Sequence, residues 1–198
     1  MPLRNRVDPF GALHAVAARG ALMGNRGGRF HDDARKIGAR RHVSRRWIAC
    51  LCEFRGRRRS VWGAGYTELF FLDEVTALAA GHRPCFECRR DDATRFARAL
   101  GAENVDAMDR ALDGERRHGR EKRVHRARID DLPDGAMIAR DGASFALRGD
   151  ALLAWSFEGY TPAGPRPRGI DVDLLTPPST CAALRNGYAP AWAAMEAS

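Results

Sequence analysis

Lysine is nearly missing from this 198-residue chain. Lys36 and Lys122 are the only two, so almost all of its 33 basic side chains are arginines. The planar fork of arginine suits phosphate and base edges, yet the same usage, beside abundant alanine, also fits a GC-rich coding bias. Composition alone is therefore a weak witness to a polyanionic partner. Long apolar runs are missing too. None approaches the roughly 18 residues of a spanning helix, and the opening MPLRNRVDPFGALH lacks the uninterrupted apolar core of a secretory signal. The expectation is a soluble, cytoplasmic protein with no membrane partner. Cysteine is scarce, and in a reducing compartment five of them are read for metal or redox chemistry rather than as a disulfide framework.

The chain is long enough to bury a sizeable core. With 44% hydrophobic and 29% charged residues and a mean hydropathy of -0.43, it is neither compositionally disordered nor lipid-soluble. Its net charge of +8 is unevenly spread. Residues 1–60 hold 15 basic and 4 acidic side chains, a net of +11, whereas 61–198 hold 18 and 21, a net of -3. A positive field confined to the front third is a footprint of binding to DNA or RNA. Arg45, Arg46, Arg55, Arg57, Arg58 and Arg59 are the candidate phosphate contacts.

Residues 1–46 show the least periodicity and read as an ordered but loop-rich basic arm. Within it, Gly24 to Gly28 (GNRGG) reads as a flexible turn, with a phosphate-cradling loop as the alternative. Trp47 to Phe54 is expected as a strand that the basic turn Arg55–Arg59 reverses into a second strand, Ser60 to Trp62. Asp73 is expected to cap a helix running from Glu74 to Ala80, ended by a left-handed Gly81. A second helix is expected from a cap at Asp91 or Asp92 to Gly101, with Ala93, Phe96, Ala97 and Leu100 on one face. A third runs from Asn104 to about Leu112. The charge run over 115–128 reads as a solvated face, with a second phosphate-contacting segment as the alternative. Beyond it, Asp141 and Gly142 signal a hairpin between Ala136–Arg140 and Ser144–Leu147. Further strands are expected at Ala151–Phe157 and Ile170–Leu175, a loop at Thr161–Gly169, and a helix opened by Thr176 and Pro177 and ended by Gly187.

The sharpest chemical signal is Cys85, Phe86, Glu87, Cys88, where a turn can point two thiolates at one tetrahedral ion. Its rival is a redox dithiol, which follows a strand and opens a helix in a βαβ context that the pattern here does not show. Cys50 and Cys52 supply a second pair. In a strand they face one side, although their α-carbons lie roughly 6.6 Å apart. Four thiolates make Zn2+ the best-fitting metal, with His82 or His42 as substitutes for Cys52. Cys181 reads as a buried hydrophobe. His31, Asp32 and Asp33, and Asp106, Asp109, His118 and His125, lack the spacing of a metal site. Trp47, Trp62 and Tyr66 read as core rather than as base-stacking platforms.

The stretch EVTALAAGHRPCFECRRDD, from Glu74 to Asp92, resembles the metal-binding domain of Ada-type DNA repair proteins. Phe70 and Phe71 stand for that domain's strand, Ala79, Ala80 and Gly81 for its helix end, and Arg83, Pro84, Cys85 and Cys88 for its second ligand pair. The resemblance covers residues 47–100. It implies zinc held by four cysteines and, at the position of Cys50, a nucleophile that takes a methyl group from a DNA phosphotriester. Here one residue separates Cys50 from Cys52 where that family has three, and His82 replaces an aromatic.

The expected class is α+β: a zinc-centred small αβ unit packed with a β-rich C-terminal half. The expected divisions are a basic arm (1–46), an Ada-like zinc unit (47–101) and an α+β region of unassigned role (102–198). The function expected is a zinc-binding protein that engages nucleic acid. An enzyme or self-alkylating repair protein using Cys50, and a zinc-stapled protein-interaction module, are the alternatives.

Overall fold

A computed structural model describes residues 1–56 and 60–194. Among them are four α-helices and fourteen strands, an α+β content with a β-rich C-terminal half. The strands β1 (Arg6–Val7), β2 (Leu13–His14), β3 (Leu22–Arg26), β4 (Trp47–Leu51), β5 (Leu69–Phe71) and β6 (Arg83–Pro84) form one sheet in the order β2-β1-β5-β3-β4-β6. The stretch expected as an arm thus supplies three of its six strands, and the β3–β4 pairing spans the division expected at residue 46.

Gly24 explains why this stretch reads as a loop yet folds as a strand. A Cβ there would lie 2.3 Å from the Ile48 carbonyl oxygen and 2.7 Å from the Phe71 ring, so only glycine lets the backbones close up. Of the GNRGG run, Gly24, Asn25 and Arg26 are strand, and the chain turns only at Gly27 and Gly28, where φ is positive. The hairpin expected after β4 does not form. Ser60–Trp62 is outside any strand, because Trp62 is committed elsewhere. Its ring stacks on His31, and its backbone N–H and indole N–H donate to the Glu68 carboxylate (2.6 Å) and carbonyl (2.9 Å). Arg57, Arg58 and Arg59 lie outside the described residues.

Helix α1 (Glu74–Ala79) begins where expected, with the Asp73 carboxylate accepting from the Thr76 N–H at 2.9 Å. It ends in a Schellman motif: the His82 N–H donates to the Ala77 carbonyl and the Gly81 N–H to that of Leu78, with Gly81 at φ +85°. All six residues of α1 are buried. Helix α2 (Arg90–Leu100) ends at a left-handed Gly101, as expected. Asp91 and Asp92, however, lie inside its first turn rather than at the cap, and Asp92 pairs with Arg89 and Arg95. Asn104 caps α3 (Val105–Arg116), which buries Met108 and Leu112 and leaves Val105 exposed.

The charge run does not remain one solvated face. It forms the end of α3, a small ribbon of β7 (Arg117–His118) and β8 (Glu121–Lys122), and β9 (His125–Arg128). Strand β9 edges a second sheet with β10 (Met137–Arg140), β11 (Ala143–Arg148), β12 (Ala151–Trp155), β13 (Tyr160–Pro165) and β14 (Asp171–Leu174), ordered β13-β12-β11-β10-β14-β9. Asp141 and Gly142, both at positive φ, make the two-residue turn between β10 and β11. Part of the expected loop at 161–169 is strand β13, whose edge position tolerates Pro162 and Pro165. Helix α4 (Pro178–Arg185) follows, its cap falling on Pro177 rather than on Thr176, whose hydroxyl instead accepts from the Met137 N–H.

Helix α1 joins the halves. Leu72, Val75 and Ala79 pack with Met137, Ala146, Leu153 and Tyr160 of the second sheet, while Leu78 packs with Phe96 and Met108. Asp73 accepts from the Tyr160 hydroxyl (3.1 Å) and the Ala193 N–H (3.0 Å), and Glu74 from the Tyr188 hydroxyl (2.5 Å). Buried polar groups that are satisfied in this way fix one arrangement of the two halves.

Candidate metal centre

The pleat of β4 sorts its side chains. Trp47 and Ala49 face the core with Phe71 and His82, whereas Ile48 and Cys50 face the other side beside Met23 and Phe70. Strand β6 pairs in parallel with β4, Ile48 opposite Arg83 and Ala49 opposite Pro84, and so delivers the 85–88 turn next to Cys50. A bidentate ion pair, Arg83 with Asp109 of α3 at 2.9 and 2.8 Å, anchors β6 from behind. The Cys85 N–H donates to the Ala49 carbonyl at 3.0 Å, and the Arg89 N–H to that of Cys85, leading the turn into α2.

The sulfurs of Cys50, Cys85 and Cys88 lie within 4.8 Å of one another, a group able to hold a metal ion. Backbone N–H groups point at two of them: Glu87 donates to Cys85 Sγ and Leu51 to Cys88 Sγ, both at 3.4 Å. Hydrogen bonding among the sulfurs divides their acidity. Thiol donors at Cys50 and Cys88 hold the Cys85 thiol far below its usual range. The bond that Cys50 makes to Cys85 pushes Cys50 far above it, with burial adding to the rise. Cys88 is lowered by Cys50, but its bond to Cys85 together with burial outweighs this and leaves it raised. The shared protons are those that a metal would displace.

Cys52 does not join the group. Strand β4 ends at Leu51, and the exposed Cys52 thiol points to the Ala21 carbonyl at 3.5 Å. Cys52 lies past the last residue of the strand, so the alternation that would have aimed it to the same side as Cys50 no longer applies. Cys52 instead walls a cavity of about 280 Å³ over the three sulfurs, with Tyr66, Glu68 and Glu87. Neither histidine replaces it. His82 faces the core, its Nε2 accepting from Arg26 at 3.3 Å, and burial, then Arg26 and Arg116, hold its pKa well below the usual value. His42 lies against Trp47. The Cys85–Cys88 pair does follow a strand and precede a helix, the context missing from the sequence pattern, but a third sulfur accompanies it. Cys181 is buried in the second core, its thiol pushed up to about 12 by burial.

Of the expected arginines, three lie among the described residues. Arg45 and Arg46 sit 3.5 and 3.7 Å from the Asp106 carboxylate, and Arg55, at positive φ, lies over the Phe54 ring. His31 bonds Thr67, Asp32 accepts from the Lys36 N–H, and Asp33 pairs with Arg29. His125 bonds the Glu115 carbonyl. None of these enters a metal group among the described residues. Trp47 and Trp62 are buried, as expected, while Tyr66 is exposed. Sequence reasoning missed Arg26, Arg116 and Lys122, which share one cavity wall with Trp47. Compared with protein-family models, curated proteins and solved structures, the chain has no match.

Proposed function

We propose that the protein binds zinc through Cys50, Cys85 and Cys88, and engages DNA or RNA through its arginine-rich front third. The observation that carries the zinc reading is the convergence of three sulfurs from two separate segments. Around a tetrahedral ion with Zn–S bonds of about 2.3 Å, thiolates sit about 3.8 Å apart, compatible with the spacing seen. Thiolate donors favour zinc over the oxygen-seeking divalent ions. The ion would clamp β4 to the turn that opens α2, and its fourth position would face the cavity that Cys52 walls.

The nucleic-acid reading is supported by the +11 charge of residues 1–60 and by the exposure of Arg45, Arg46 and Arg55. Metal analysis of the purified protein tests the first part: about one zinc per chain is expected, lost in Cys50→Ser, Cys85→Ser and Cys88→Ser. Retention of zinc in all three variants would defeat the assignment. For the second, log affinity for a duplex plotted against log salt should flatten by up to about 1.8 in Arg45→Gln/Arg46→Gln. An unchanged slope places the contacts elsewhere.

The resemblance to Ada-type domains also offers Cys50 as an acceptor of a methyl group. In that step its sulfur forms an S–C bond, the C–O bond of the phosphotriester breaks, and the phosphodiester anion leaves. Burial of Cys50 among the sulfurs favours a ligand that never turns over. Peptide mass spectrometry after incubation with methylphosphotriester DNA separates the two, through the presence or absence of one added CH₂ on the Cys50 peptide.

A further inference from the structure

On the face of β3 and β4 opposite the sulfurs lies a cavity of about 700 Å³. Its wall begins with one cross-strand pair. Arg26 sits opposite Trp47, with its guanidinium 4.0 Å from the indole centre. Arg116, arriving from α3, places a second guanidinium 4.4 Å from the same ring. Both arginines are essentially closed to solvent, at 2% and 1% exposure. The Lys122 ammonium donates to the Ala79 carbonyl at the same wall. Around them stand Arg4, Arg40, Arg41 and Arg120. Among the described residues, eight cationic side chains line the cavity against a single carboxylate, Glu121.

These cations are short of counter-charge: Asp113 is shared between Arg116 and Arg117, and Asp8 acts on Arg26 and Lys122 only through its field. Among the described residues Arg26 bonds the Gly11 carbonyl (2.8 Å) and the His82 ring, and no carboxylate. Arg116 bonds the Gly81 and Arg45 carbonyls and pairs with Asp113, a carboxylate that Arg117 holds with two hydrogen bonds; its Nε has no partner at all. Burial, with Arg26 and Arg116 adding to it, pushes the Lys122 pKa down to about 7. Buried cations without anions destabilise a fold, and a ligand carrying the missing charge would relieve that cost.

We propose that this cavity binds a phosphomonoester, the terminal phosphate of a nucleotide or of a nucleic-acid strand. Guanidinium forks match phosphate oxygens, and a doubly charged terminal phosphate offsets more of the excess than a singly charged diester. An internal diester carries chain on both sides and cannot reach Arg26 and Arg116 at a recessed wall. A terminal group enters end-on. The volume falls in the range of small-ligand pockets and leaves room for the attached nucleoside. This deepens the nucleic-acid reading by naming the group recognised, and rests on that reading for the polymer but not for the phosphate.

The experiment measures affinity for four probes: AMP, adenosine, and one single-stranded oligonucleotide with a phosphate or a hydroxyl at its 5′ end. AMP should bind where adenosine does not, and the phosphorylated strand should bind at least about tenfold more tightly than its hydroxyl form. The exposed rim pair Arg40→Gln/Arg120→Gln should weaken the phosphate-bearing probes by about tenfold, and Lys122→Met should do so from the wall, with thermal melts confirming folding. AMP binding without strand binding upholds the site, assigns it to free nucleotides and defeats the nucleic-acid reading. Equal affinity for both strand forms with no AMP binding overturns the proposal and leaves the nucleic-acid reading standing. No binding of any probe overturns both. Phosphate binding unchanged in the rim and wall variants alike overturns the location.

Discussion

Strands β3 and β4 carry two chemistries back to back. On one face Met23 and Cys50 stand opposite each other, with Cys85 and Cys88 beside them; on the other, Arg26 stands opposite Trp47. The thiol face gathers soft donors suited to a cation, and the arginine face gathers cations suited to an anion. The difference between them is one step of the pleat, since side chains three residues apart point to opposite sides. A register slip by one residue would send every side chain of a strand to the wrong chemistry. Gly24 and Ala49, paired in the middle, hold that register because a larger residue at 24 would strike the Ile48 carbonyl.

The sharpest way to break the comparison is to remove the metal. Chelation should cost about 4 kcal/mol where free zinc had stood a thousandfold above its dissociation constant. For a chain of this size that corresponds to a melting point lower by about 8–16 °C. The thiol face should loosen while phosphate affinity changes little. A melt unaffected by chelator would mean that no metal clamps β4 to the turn.

Asp109→Ala strikes between the faces. It strands Arg83, whose side chain is 5% exposed, without its partner, at a cost of about 3–5 kcal/mol. Denaturant titration measures this, and zinc retention should weaken with it because β6 leads into Cys85.

Gly81→Ala addresses the arginine face alone. Its φ of +85° disfavours a side chain, and the new Cβ would lie 2.6 Å from that of Arg116. Backbone strain of about 1–3 kcal/mol is expected, with weaker AMP binding and unchanged zinc content.

Lys122 gives a subtler signature. Its folded pKa of about 7 lies below the ordinary 10.5, so between those values the unfolded chain holds more protons than the folded one. Its contribution to stability therefore grows as pH rises through that window, and is lost as pH falls through about 7. Comparison of Lys122→Met with the parent should show a difference in slope approaching about 1.4 kcal/mol per pH unit. The smallest expected change is in Cys52→Ser, within about 0.5 kcal/mol and with zinc retained. Loss of zinc there would make Cys52 the fourth ligand and redraw the thiol face.

Much of this molecule was legible in local chemistry. Asp73 and Gly81 announce α1, Asn104 announces α3, and Asp141-Gly142 announces the β10–β11 turn, because caps and tight turns depend on residues only a few positions apart. Cys85 and Cys88 were equally plain, being neighbours on one turn. The pairing of Cys50 with Cys52 was misleading: spacing in sequence put them together, while the end of β4 at Leu51 sent Cys52 to the Ala21 carbonyl.

The sequence by itself determined the α+β class, the helix boundaries set by caps, the candidacy of three of the four cysteines, and the basic bias of the front third. Only the tertiary structure decided which groups meet. It drew residues 1–46 into a sheet through pairings that no local pattern encodes. It also brought the charge run at 116–122 back across some ninety residues, so that Arg116 and Lys122 join Arg26 around Trp47. The physical reason is the range of the forces involved. Caps and turns are settled by hydrogen bonds between near neighbours, whereas strand order and the gathering of buried cations depend on which apolar faces close together, a property of the whole chain.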